Sequence, residues 1–168
     1  MIQMQGLEQE LYDEIRGIPV VDCHEHLPTE AERLQRPVDV TTLFSHYCKA
    51  DLEAAGLKQG APQQEVFDVS KPLRPRWQKL KPYFEAIRFG SYAFPAFAYV
   101  RDALGIDDID DDTVEEISRR LSEDNRPGLY KKTLQDLCGI ETAIQCVQRV
   151  IKGDQPFFVY LCADRAAG

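Results

Sequence analysis

Ile18-Pro19-Val20-Val21-Asp22-Cys23-His24-Glu25-His26-Leu27 is the stretch on which the reading of this chain turns. Ile18 to Val21 is a short apolar run, largely β-branched, lying between Gly17 and Pro28, and this is the pattern of a buried strand. Two histidines follow at i and i+2. In a strand such residues share a face, whereas a helix would turn them about 200° apart. Two neutral imidazoles converging where a strand ends can hold a divalent cation, zinc foremost. A bare H-x-H is more often a pair of polar loop residues. Here the apolar strand before it, and Asp22 as a carboxylate placed to orient an imidazole, favour the metal reading. Glu25 alternates to the opposite face, and Cys23 is expected to pack in the core.

Composition sets the class. The chain has 168 residues, 43% hydrophobic and 29% charged, with a net charge of -8, as expected of a globular domain with its own core. The acidic balance argues against nucleic acid or an anionic membrane surface as a partner. Met1 to Glu14 carries neither the basic region nor the apolar region of a secretory signal, and no apolar run approaches the roughly 20 residues of a membrane span. Five cysteines, odd in number and without C-x-x-C spacing, point to free buried thiols in a reducing, cytoplasmic setting.

Outward from the histidines, Leu7, Leu11 and Ile15 predict an amphipathic helix ended by Gly17. After His26, Pro28 to Val40 is polar and irregular. Thr41 or Thr42 is placed to cap a helix carrying Leu43, Phe44, Tyr47 and Leu52, and a short helix is expected over Gln63 to Val69. Trp77, Leu80, Phe84 and Ile87 keep a helical period, with Pro82 bending or starting that helix. Ser91 to Leu104 is an aromatic helix capped by Gly105, and packing between helices is its expected role. The acidic run Asp107 to Asp112 lacks the mid-loop glycine of a calcium loop. It precedes Thr113-Val-Glu-Glu116, a capping box opening a helix to Leu121. Leu129 to Leu137 is a further helix ended by Gly139. Glu141 to Val147 and Pro156 to Leu161 are the second and third strands, with Asp164 just past the third. Their connection is shorter than the roughly twelve residues that a crossover helix needs, so either Gln148 to Gly153 is helical or this connection has no helix.

One strand, a helical excursion and two more strands thus make an α/β chain. V-V-D-C-H-E-H-L resembles the H-x-H signature that closes the first barrel strand of the amidohydrolase superfamily, more narrowly the amidohydrolase-2 group with its uronate isomerases. The resemblance implies a metal-dependent (β/α)8 TIM barrel with a large helical insertion, residues 28–139, after strand one. A complete barrel takes at least about 200 residues, so residues 1–168 are expected to be the N-terminal part of a longer enzyme. His24 and His26 would bind the cation. Ligands on later strands, and the aspartate base among them, would lie beyond this chain, which by itself is expected to be inactive.

Alone, His46 on an apolar helix would be a packed core histidine. The resemblance instead matches His46 and Tyr47 to a His-Tyr pair that contacts the sugar acid in uronate isomerases. The chain departs directly afterwards, with Cys48-Lys49-Ala50-Asp51 where those enzymes carry a lysine, a tryptophan and an arginine. The implied activity is that of a hydrolase, a metal-activated water attacking a small-molecule substrate. The alternatives are aldose–ketose isomerisation of a uronic acid, decarboxylation of an aromatic acid, and a truncated remnant without turnover. Homo-oligomerisation through the exposed edge of the third strand is a further expectation.

Overall fold

The computed structural model describes residues 5–147 and 158–162, and the chain divides into two compact units. The first, residues 1–33 and 127–168, contains helix α1 (Leu7–Arg16), strand β1 (Val20–Glu25), a π-helix (Lys131–Leu137), strand β2 (Ile140–Val147) and strand β3 (Phe158–Cys162). The three strands form one sheet in the order β1-β2-β3, both pairings parallel. Parallel neighbours need a long return connection, and between β1 and β2 the helical part of the chain supplies it. The connection between β2 and β3, and Asp164, lie outside the described residues.

β1 differs from its expected form in two ways. It begins two residues later than the apolar run and continues to Glu25, and the apolar run is not buried: Ile18 is 62% exposed and Val21 60%. Leu7, Leu11 and Ile15 on α1 are likewise exposed. The small core of this unit is formed by Tyr130 and Ala143, with Leu27, Leu129, Leu134 and Ile140 packed around them. Strands of a parallel sheet are ordinarily covered on both faces, which is why the sequence pattern predicts burial that the described residues do not provide.

The second unit, residues 34–126, is helical and lies inside the expected 28–139 segment. It comprises a 3-10 turn (Val40–Phe44), α3 (Cys48–Ala54), α4 (Ala61–Phe67), α5 (Leu73–Ile87), α6 (Phe94–Leu104) and α7 (Val114–Asp124), while the short α2 (Glu30–Leu34) precedes them. The period read on α5 is realised, since Trp77, Leu80, Phe84 and Ile87 are all buried. The Phe84 ring lies 5.1 Å from Phe44, 5.2 Å from Trp77 and 5.8 Å from Phe97, a packed aromatic centre. Pro82 sits within α5 without ending it. At the end of α6, Gly105 takes φ 65°, and the Ile106 N–H closes back on the Val100 carbonyl at 3.1 Å.

Two helix starts differ from expectation. The helix expected from Thr41 to Leu52 is broken at Ser45–Tyr47, and its cap is Asp39, whose carboxylate accepts from the Thr41 N–H at 2.9 Å while the Thr42 hydroxyl accepts from the Asp39 N–H at 3.2 Å. Thr113 makes no capping box. Its hydroxyl donates to the Asp108 carbonyl at 2.9 Å, and Asp110 instead accepts from the Thr113 N–H at 3.0 Å. In both cases an aspartate earlier in the chain outcompetes the threonine, a charged acceptor being the stronger partner for a helix N-terminus.

Asp39 is also half of a buried ion pair with Arg76. Arg76 donates besides to the Thr41 hydroxyl at 2.9 Å and to the Val66 and Lys71 carbonyls at 3.1 Å each. Removing one partner leaves the other charge in the core. Arg76→Leu is therefore expected to destabilise this unit by about 3–5 kcal/mol, and Asp39→Leu added to it should restore part of the loss. Urea unfolding followed by fluorescence of the buried Trp77 measures both.

Candidate functional site

His24 lies in β1 and His26 directly after it, and both are exposed. Their rings meet edge to face, centroids 4.6 Å apart, and their Nε2 atoms approach to 2.9 Å. As a pair of neutral rings this is an N–H···N hydrogen bond, one Nε2 donating and the other accepting according to tautomer. Two nitrogens bound to one tetrahedral zinc at about 2.0–2.1 Å stand about 3.3–3.4 Å apart. The two rings would therefore open by about 0.4–0.5 Å to share such an ion. Among the described residues no group of three His, Cys, Asp or Glu is placed to hold a metal, and the pair would be two of the three protein ligands that a catalytic zinc ordinarily takes.

The carboxylates beside the pair are arranged differently from the simple alternation. The β1–β2 register is irregular between Asp22, opposite Ala143, and Glu25, opposite Gln145, so three steps on β1 match two on β2. Glu25 consequently lies beside Asp22 rather than pointing away from it, close enough for the two carboxyls to share a proton when Glu25 is protonated. Partial burial first, and then the bond to Asp22 and its charge, hold the Glu25 carboxyl above its usual range, while the His26 N–H and the charge of His26 pull the other way. Asp22 Oδ1 accepts from the His24 backbone N–H at 3.1 Å, and Glu25 Oε2 from the His26 N–H at 3.3 Å. Each acid therefore fixes the backbone of one histidine.

Gln145 is the participant that sequence reasoning missed. Fully buried on β2, it accepts through Oε1 from the Leu27 N–H at 3.1 Å, and its Nε2 has no hydrogen-bond partner among the described residues. The available signal was a glutamine inside E-T-A-I-Q-C-V, since a polar side chain within an apolar strand has to be satisfied.

Cys23 is exposed, not packed in the core, and Cys138 is exposed as well; Cys48 alone of the three described thiols is buried. His46 and Tyr47 belong to the helical unit, at the break before α3, and both are exposed, so His46 is not a core histidine. Their rings are edge to face at 4.4 Å, and Tyr47 stacks on Tyr92 at 5.6 Å. Comparison with protein-family models, with curated proteins and with solved structures finds no match to this chain.

The raised Glu25 carboxyl has a sign that can be tested. The folded chain holds this proton where the unfolded chain has released it. Stability is therefore unaffected well below the ordinary value of 4.5 and falls as pH rises from there through the raised value. Asp22→Asn removes the neighbouring charge and should bring Glu25 part of the way back, shrinking that loss. Carbon-detected NMR titration of Glu25, with urea unfolding on both sides of the window, follows the change.

Proposed function

We propose that this chain carries the first part of the metal site of a metal-dependent hydrolase of the amidohydrolase type, with His24 and His26 as ligands to a divalent cation, zinc foremost. The observation that supports this reading is the 2.9 Å approach of the two Nε2 atoms at the end of a strand in a parallel sheet. Asp22 and Glu25 brace the two backbone positions, and Gln145 holds the turn that follows. In this reading β1, β2 and β3 are the first strands of a (β/α)8 barrel and residues 34–126 are its insertion, with the remaining ligands and the base supplied by later strands.

When bound, the cation supplies a water acidic enough to be a nucleophile at neutral pH. The residues here hold and orient; none of them is assigned as the base. The substrate is a small molecule, and no described helix is long and apolar enough to cross a membrane. A uronate isomerase-like activity is the second reading, supported by the exposed, edge-to-face His46 and Tyr47.

Zinc binding separates the pair from ordinary strand-end histidines. His24→Ala and His26→Ala are each expected to weaken zinc affinity more than about tenfold, since even residues behind the ligands contribute about 10–100-fold. Cys23→Ser and His46→Ala should leave it unchanged. Competition with a chromophoric chelator gives the constants, and affinity that survives the double His24→Ala/His26→Ala change would dismiss the assignment.

A further inference from the structure

The peptide that follows His26 is held from across the sheet. The β1–β2 ladder ends with Glu25 opposite Gln145, so His26 stands one residue beyond the paired strand. Its own N–H goes to the neighbouring Glu25 carboxylate at 3.3 Å, a local bond that moves with the chain it belongs to. The next N–H, that of Leu27, is taken by Gln145 Oε1 at 3.1 Å, 118 residues away in sequence. One residue on β2 therefore fixes both neighbours of His26, Glu25 through the ladder and Leu27 through its side chain.

Stability does not explain a glutamine at this position. Gln145 is fully buried, and its Nε2 has no hydrogen-bond partner among the described residues. A buried donor left unfilled is costly, and an apolar side chain of similar length would avoid that cost. What the carboxamide provides is an accepting oxygen on the peptide next to His26. Metal sites tolerate ligand displacements of only a few tenths of an ångström. The two imidazoles already have to part slightly to share a tetrahedral ion, so a His26 whose backbone drifted would lose that fit.

We infer that Gln145 is a positioning residue of the cation site: its Oε1, by holding the Leu27 N–H, sets where the His26 imidazole stands relative to His24. The inference rests on the reading of His24 and His26 as metal ligands. In this role Gln145 is not itself a ligand; it acts through His26. Residues that orient a ligand in this way are worth about 10–100-fold in metal affinity. Coupling of this kind is reciprocal, so an ion gripped by the two rings in turn tightens the bond between Leu27 and Gln145.

Gln145→Met keeps the length of the side chain and removes both the acceptor and the unfilled donor. In the whole chain it should weaken zinc about tenfold in competition with a chromophoric chelator. Its urea midpoint should stay close to the parent's, because loss of the bond is offset by removal of the unfilled donor. In a His26→Ala background the same change should add no further loss of zinc affinity, whereas general loosening of the sheet would weaken both backgrounds and lower the midpoint. A measurement on the parent chain needs no variant and decides the matter if Gln145→Met does not fold: zinc should slow hydrogen exchange at the Leu27 N–H. Undiminished zinc affinity in folded Gln145→Met, an equal loss in the His26→Ala background, or Leu27 exchange indifferent to zinc would each overturn the inference. Zinc affinity that survives His24→Ala/His26→Ala removes the metal reading and this inference with it. Affinity lost in that double variant but kept in Gln145→Met removes the positioning role alone.

Discussion

The parallel ladder between β1 and β2 is the constraint from which the histidine pair follows. The register shifts once between Val20, opposite Ile140, and Val21, opposite Thr142, and again between Asp22, opposite Ala143, and Glu25, opposite Gln145. A slip of this kind re-aims side chains at a strand end. Here the two acids meet, and the imidazoles, one in the strand and one just past it, meet as well. The next few residues are pinned by the same unit. Gln145 takes the Leu27 N–H, the Tyr130 hydroxyl donates to the Pro28 carbonyl at 2.9 Å, and Glu30 accepts from the Tyr130 N–H at 2.8 Å. The exposed pair therefore stands on a backbone held on both sides, which limits the entropy lost when a ligand orders it.

The helical unit is held differently. Its centre is apolar and aromatic, yet the Arg76–Asp39 pair runs through it, with Arg76 donating to Asp39, Thr41, Val66 and Lys71. Asp39 both caps the 3-10 turn and neutralises Arg76, so one carboxylate ties the start of that turn to the first turn of α5. Such a pair adds little net stability over apolar packing but penalises alternatives that separate its members. The acidic run near α7 works in the same sense: Asp111 accepts from Trp77 and Asp108 pairs with Arg88, so the run is cross-linked rather than left as a solvated loop.

The period on α5 and the Gly105 cap could be read from sequence because each depends on residues adjacent along the chain. The β1 strand and the i, i+2 histidines were legible for the same reason. What escaped depends on partners distant in sequence or on competition between neighbours. Whether Thr41 or Asp39 caps the 3-10 turn is decided by Arg76, far along the chain, which needs a carboxylate there. The pairing of Asp22 with Glu25 comes from a slip against β2 that no local alternation encodes. Gln145 becomes significant only once Leu27 is its ladder neighbour's successor in space. Burial of Ile18, Val20 and Val21 was inferred from their type, and hydrophobicity records a preference for cover, not its presence.

The charge distribution connects these observations. A chain with net charge -8 cannot pair every carboxylate internally, so the acids without a cationic partner show where negative potential is left over. In the helical unit Asp39, Asp108 and Asp111 are matched by Arg76, Arg88 and Lys81. In the sheet unit Glu25 lies beside Asp22, partly buried, an arrangement that favours a bound proton over a second free negative charge. Surface ion pairs elsewhere, such as those Arg119 makes with Glu116 and Glu123, contribute little and are screened.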